Sequence, residues 1–296
     1  MQPSVKLQSG RKTMLLIGAG YTARHMVPSL IARGFEVIAT SRKPEGLESL
    51  RALGATAMLF DGQITSEMIA VCERATHMIS SVGPKSGADP ILASGIAKHF
   101  QALRWGGYLS ATSVYGDRQG KWAFEDEYLY PTTARGRARI EAELGWLETD
   151  LPMHIFRLAG IYGPAGASGP ARNPFARLRA GTAKAVIKPG HVVNRIHVED
   201  IISALYASME RPNPAQVYNI ADGHPAPPQD VLRFAATLIG APMPQEVDFS
   251  DAELSDMARS FYTETKRIDI TRTRSELEWE PRYEDYKSGL KAIADK

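Results

Sequence analysis

Cysteine is almost absent from this chain of 296 residues, with Cys72 standing alone. That excludes an intramolecular disulfide and any cysteine metal cluster, and it fits a reducing compartment. Cys72 falls in a helical run, IAVCERA, where packing rather than nucleophilic attack is its expected role. An excess of one charge sign is also missing, since 35 Lys and Arg face 33 Asp and Glu. Neither a nucleic-acid stripe nor a polybasic membrane patch is available, and the scattered aromatics form no base-stacking run. Long apolar runs are lacking too. The first, MLLIGAG from Met14, is too short to span a bilayer and has no signal-peptide cleavage pattern. Residues 1–12 read as a loose tail, and the cytoplasm as the default location. Neither H-E-x-x-H nor G-x-S-x-G occurs, which argues against zinc-protease and serine-hydrolase chemistry. No metal is expected.

What is present is alternation. The apolar runs MLLIGAG, FEVIAT, TAMLFD, THMISSV, WGGYLSAT and MHIFRLAGIYG are separated by helical patterns around 22–33, 44–53, 65–74 and 90–103 and by one beginning near Pro131. Strand and helix taking turns is the signature of an α/β fold, a Rossmann-type doubly wound parallel sheet. Beyond Gly163 the stretch GPAGASGPARNP is a loop signal, and the pattern becomes irregular. We expect a sheet domain over 13–165 and a smaller C-terminal substrate lobe over 166–296, with 192–222 returning to the sheet.

LLIGAGYTARHM sets Gly18, Gly20 and Ala23 in a G-x-G-x-x-A pattern directly after a strand and at a helix start. Gly18 permits the tight turn, Gly20 lets backbone approach a pyrophosphate, and Ala23 lets helix and strand pack closely. The helix N-terminus offers free N–H groups to that anion. The plainer alternative is an ordinary glycine turn. At the end of the next strand, FEVIATSRKP carries Ser41, Arg42 and Lys43 and no acid. That favours the 2′-phosphate of NADP over the ribose of NAD, with NAD still possible. The alternative makes Ser41 a helix cap and leaves the cations solvated.

GAGYTAR, SATSVYGD, RLAGIYGP, RIHVEDI and KRIDITRTRSELEWEPRYEDY, in this order over nearly the whole chain, resemble the extended short-chain dehydrogenase/reductases. This is the NAD-dependent epimerase/dehydratase group, and the likeness points to its atypical bacterial branch. The resemblance implies a dinucleotide in the sheet domain and a lobe that closes over a small-molecule substrate, often a nucleotide sugar. By position it implies cofactor contacts from Gly18, Gly20, Tyr21 and Thr22, from Asp61 to the adenine, and from Ser81, Val82 and Gly83. Ala159 to Gly163 corresponds to the stretch bordering the nicotinamide. His197, Glu199 and Asp200 correspond to a structural segment, and Tyr115 to a structural tyrosine.

The sequence departs from the family at the proton relay. Alignment on Val114-Tyr115-Gly116 puts Ala111 at the family's serine. Alignment on Pro131 and Gly136 puts Arg135 at its tyrosine and Arg139 at its lysine. A guanidinium stays protonated, so Arg135 cannot cycle a proton as a phenol does. Arg139 could still hold the ribose, or an anionic substrate. Alternatively, Gly136, Ile140, Leu144 and Leu147 form the buried stripe, while Arg137–Glu141 and Arg139–Glu143 lace a solvated face. If the strand stays regular, Ser113 shares a face with Ala111 and is the first choice for a substrate contact. Tyr128 and Tyr130 could reach the cleft from a loop, whereas Glu125, Asp126 and Glu127 read as solvated. Two functions follow. One is an NADP-dependent oxidoreductase or epimerase with a non-standard proton relay and catalytic candidates Ser113 and Arg139. The other is a catalytically degenerate dinucleotide sensor or scaffold. Substrate and oligomeric state are not legible.

Overall fold

The structure, a computed structural model, describes residues 12–84, 88–165 and 171–295, apart from the side chain of Met257. The expected loose tail thus lies outside the described residues, save Lys12. So does 166–170 of the Gly/Pro-rich loop. Seven parallel strands form the central sheet: β1 (Thr13–Ile17), β2 (Glu36–Ser41), β3 (Thr56–Leu59), β4 (His77–Ser80), β5 (Trp105–Ala111), β6 (Met153–Leu158) and β7 (Val217–Ile220). Their spatial order is β7-β6-β5-β4-β1-β2-β3. The order reverses between β1 and β4, the switch point where doubly wound sheets bind ligands.

Period-two alternation sorts β1 between two cores. Met14 and Leu16 pack with Ala23, Met26, Val27 and Leu30 of the Tyr21–Ala32 helix. Leu15 and Ile17 face Met68, Val71 and Cys72 of the Ser66–Arg74 helix, and Ala142 and Trp146 of the Ala134–Leu147 helix. Both faces are covered, which is why the strands read as unbroken apolar runs. Cys72 is buried, and burial pushes its thiol up to about 12, as a packing role requires. The helix expected over 90–103 is instead a single turn, Pro90–Ala93, followed by a 3₁₀ turn at Ile96–His99. Gly95 between them sits at φ 78°, where a continuous helix cannot run.

After β6 the chain builds smaller pieces. Arg195–His197 pairs with Gly160–Tyr162, and Gln245–Asp248 with Lys184–Ile187, each outside the main sheet. Of the segment 192–222, only Val217–Ile220 enters the seven strands, against β6. A third apolar cluster joins Phe175, Leu178, Val231, Ala235, Tyr286 and Leu290. Among the described residues no helix is long and apolar enough to cross a membrane.

One polar network fixes the helix that matters most for the site. Arg157 on β6 forks onto Glu143 at 2.8 Å, both nearly fully buried, and also donates to the Tyr115 hydroxyl at 2.9 Å and the Glu125 carbonyl at 3.0 Å. The Tyr115 hydroxyl donates in turn to Asn219 at 2.7 Å. Breaking such a pair costs about 3–5 kcal/mol, because it strands a charge out of water.

Candidate functional site

The glycine turn joins β1 to the Tyr21–Ala32 helix. Gly18 sits at φ 71°, and a Cβ there would lie 2.3 Å from Val82 Cγ2. The Gly18 N–H donates to Thr40 Oγ1 at 2.9 Å, and Ser81 Oγ donates to the Gly18 carbonyl, so β1, β2 and β4 hold the turn from both sides. Gly20 is different. It is exposed, its φ of −84° is open to any residue, and a Cβ would meet nothing nearer than Gly18 O at 3.8 Å. The space over its backbone is open. Tyr21 and Thr22, the first two helical residues, are buried, and their N–H groups belong to the turn that has no intrahelical acceptors. The Tyr21 side chain turns away: its hydroxyl donates to the Pro164 carbonyl at 2.8 Å, and burial pushes it up to about 12. Of Tyr21, only the backbone remains for a ligand.

At the end of β2 a cavity of ≈ 420 Å³ is lined by Ser41, Arg42 and Lys43, and also by Arg24, Glu45, Gly46 and Ser49. Ser41 Oγ both accepts from the Lys43 N–H at 3.2 Å and donates to the Lys43 carbonyl at 2.9 Å, a local turn. Arg24 was not singled out from the sequence. Its Nε donates to the Ala19 carbonyl at 2.7 Å and its Nη2 to the Gly46 carbonyl at 3.2 Å, which pins the guanidinium across the pocket. Its place one turn into GAGYTARHM was the only signal. Asp61 is exposed and accepts from the Gln63 N–H at 3.0 Å through one oxygen, as a turn residue does.

A second cavity of ≈ 390 Å³ opens beyond the ends of β5 and β6, and Ala111, Ser113, Arg135 and Arg139 all line it. The helix start that carries the two arginines is fixed locally. Thr133 Oγ1 caps it by accepting from the Gly136 N–H at 3.1 Å. A Cβ on Gly136 would come within 2.6 Å of the Ser113 carbonyl, so only glycine lets the helix lie so close to that turn.

Arg139 is not on a solvated face. Its Nη1 donates to the Leu109 carbonyl at 2.8 Å and the Tyr108 hydroxyl at 3.2 Å, and its Nη2 lies 3.2 Å from a Cβ position on Gly83. The alternative Arg139–Glu143 pair does not form, because Glu143 turns to Arg157 and Ser110. The buried face of this helix holds Gly136, Ala138, Ala142, Glu143 and Trp146, while Leu144 is half exposed. The apolar stripe drawn from spacing is thus rotated, since a buried ion pair rather than leucines anchors the helix.

Ser113 reaches the cavity by a route other than strand alternation. β5 ends at Ala111, and Thr112–Tyr115 is a 3₁₀ turn. Its Oγ is buried with no hydrogen-bond partner among the described residues. Glu125 is a further correction. It is buried and accepts from the Asn219 N–H at 2.9 Å, and burial raises its pKa. Asp126 and Glu127 stay near the surface against Arg272 and Arg118. Tyr128 and Tyr130 are 83% and 64% exposed and do not line the cavity. Spacing did not reveal Arg172, Asn194, Phe261, Glu264 and Lys266, which complete the cavity from distant segments. Asp200 accepts from the N–H groups of Arg282 and Tyr283, and His197 Nδ1 accepts from the Glu199 N–H at the start of the Val198–Glu210 helix, so this segment is structural. Among the described residues no three His, Cys, Asp or Glu side chains gather as a metal site.

No family model matches the chain. It is 29% identical to Protein YeeZ of Escherichia coli K12, over 93% of this chain and 97% of that one. Identity to a 3-diazoavenalumate denitrifying reductase from Streptomyces is 27%, over 94% and 98%. Among solved structures, a conserved protein of unknown function from Silicibacter pomeroyi shares 46% identity at a TM-score of 0.89, covering 96% of this chain and 98% of that one. UDP-glucose 4-epimerase from Bifidobacterium longum, solved with NAD+ and UDP, matches at a TM-score of 0.71 and 18% identity, over 96% and 97%. The chain therefore belongs to one family with the Silicibacter pomeroyi protein, within the extended short-chain dehydrogenase/reductase fold that the nucleotide-sugar epimerases and dehydratases share.

Proposed function

We propose that this protein is an NADP-dependent oxidoreductase or epimerase-type enzyme that acts on a small polar substrate without the tyrosine–lysine proton relay of its fold. The observation that carries the reading is the bare backbone at Gly20, with the cation pocket of Arg24, Arg42 and Lys43 to one side and the arginine-lined cavity to the other. Arg139 against Gly83, and Arg172 stacked 4.7 Å over the Tyr21 ring, link turn and cavity.

A dinucleotide fits these residues. The N–H groups of Tyr21 and Thr22 suit its diphosphate, since a helix N-terminus favours an anion. Ser41, Arg42 and Arg24 suit the 2′-phosphate, because arginine forks match phosphate geometry. The second Asp61 carboxylate oxygen is left for the adenine amine, and Ser81, Val82 and Gly83 form the wall on the β4 side. When bound, the nicotinamide supplies hydride chemistry. The Ser113 hydroxyl, buried and unpartnered, would donate to the reacting oxygen of the substrate. Arg135 offers a guanidinium fork to negative charge in place of a phenol that moves a proton. Arg139 would hold the ribose side. The reductase name of the Streptomyces relative and the NAD+ solved with the Bifidobacterium epimerase support a nicotinamide cofactor.

Fluorescence titration tests the cofactor assignment. NADPH is expected to bind about ten- to a hundredfold more tightly than NADH, the worth of one charge-assisted contact. Arg42→Ala and Arg24→Ala should each narrow that gap. Equal wild-type affinities would contradict NADP. A second reading, a dinucleotide sensor or scaffold, is favoured by Ala111 at the place of the family's serine and by Arg139, whose Nη1 is already committed to backbone and Tyr108. Screening carbonyl compounds and nucleotide sugars for NADPH oxidation, with mass measurement of any copurified dinucleotide, separates the two. Turnover selects the enzyme; a tightly held nucleotide with no turnover across the panel selects the sensor.

A further inference from the structure

The charge balance of the ≈ 390 Å³ cavity points to the chemical class of its second occupant. Four cations line it, Arg135, Arg139, Arg172 and Lys266, against one carboxylate, Glu264. Lys266 and Glu264 cancel: the buried ammonium donates to that carboxylate and, at 2.7 Å, to the Gly116 carbonyl. Two of the remaining arginines sit on the cofactor side, Arg139 against Gly83 and Arg172 over Tyr21. Both then serve the dinucleotide, Arg139 toward its ribose and Arg172 toward the charge of its diphosphate. Arg135 is left over. It follows the Thr133 cap by two residues, and it has no ion pair or hydrogen bond among the described residues.

Arg135 is exposed where it lines the cavity, so its fork is open to an incoming anion, and that planar fork matches two oxygens at once. Beside Thr112, Thr133, Asn194 and Ser260, the wall has an apolar part made by Leu158, Val192, Val193 and Phe261. At this volume the cavity lies near the lower end of ligand pockets, roughly 300–1,000 Å³, and it must admit the nicotinamide as well. We infer that the substrate is a small acid, an apolar body bearing one carboxylate or phosphate, and that Arg135 grips the acid group. This rests on the cofactor reading above and assigns Arg135 the part left open by the absent tyrosine.

Calorimetric titration of the NADP+-saturated protein with benzoate, phenyl phosphate and neutral benzamide tests it. At least one acid should bind about tenfold or more tightly than the amide, as a charge-assisted pair gives. Arg135→Gln should abolish that preference while NADPH affinity stays as in the wild type. Benzoate alone preferred identifies a carboxylate, and phenyl phosphate alone a phosphate. Equal binding of all three, no measurable binding of either acid, or a preference that survives Arg135→Gln overturns the proposal. A failure of the cofactor reading appears separately, as absent NADPH binding, and acid titrations without nucleotide then still report on Arg135.

Discussion

Two glycines separated by one residue should respond to substitution in opposite ways. At Gly20 the dihedrals, −84° and −159°, are open to any residue, and a Cβ clears every neighbour by 3.8 Å. Gly20→Val should therefore cost only about 1 kcal/mol of stability, the penalty of an aliphatic N-cap. Its methyls, however, would fill the space over the N–H groups of Tyr21 and Thr22. Losing two charge-assisted amide–phosphate bonds at ~1.5–3 kcal/mol each removes about 3–6 kcal/mol, or roughly 10²–10⁴ in NADPH affinity. At Gly18 the φ of 71° costs an alanine about 1–2 kcal/mol, and the 2.3 Å approach to Val82 Cγ2 adds about 1–3 kcal/mol of overpacking. Gly18→Ala should lose about 2–5 kcal/mol by urea denaturation. Fluorescence titration supplies the other arm. The reasoning fails if Gly20→Val binds NADPH within threefold of about the wild-type value, or if Gly18→Ala unfolds at the wild-type urea concentration.

Three further outcomes are expected. Glu143→Gln leaves Arg157 buried and unpaired, so stability should fall by about 3 kcal/mol or more; an unchanged melting temperature would refute the network. Arg139→Met should both weaken NADPH binding and lower the melting temperature, because Arg139 spans Gly83 and the β5 backbone; loss of neither would return Arg139 to the solvent. Burial pushes Asp222 from 3.8 up to about 7, with one carboxylate oxygen unpartnered among the described residues. A raised acid favours the protonated fold, so its contribution is full below about pH 4 and is lost as pH rises to about 7. The difference in unfolding free energy between wild type and Asp222→Asn should change across that window and be flat above it. A difference independent of pH would contradict the assignment.

Much of the fold was legible because a sheet covered on both faces needs unbroken apolar runs, and glycine at a strand-to-helix junction has few other uses. The glycine turn and the Ser41–Arg42 pocket follow from local spacing, and the structure brings them to one edge of the sheet. What escaped was set by partners far along the chain. Glu125 and Glu143 look solvated in sequence, yet Asn219 and Arg157 draw them inside. Alternation failed for Ser113 because β5 ends two residues earlier, and the 3₁₀ turn, not the strand, sets its direction. Nothing in the spacing marks Arg24 or Lys266, whose places are set by the backbone carbonyls that hold them.

Diffraction from crystals grown with NADPH tests the central claim most directly. The account expects the diphosphate bridge over Gly20, within hydrogen-bond distance of the Tyr21 and Thr22 amides, and the 2′-phosphate among Arg24, Arg42 and Lys43. A nucleotide bound elsewhere, or none at saturating concentration, would contradict it.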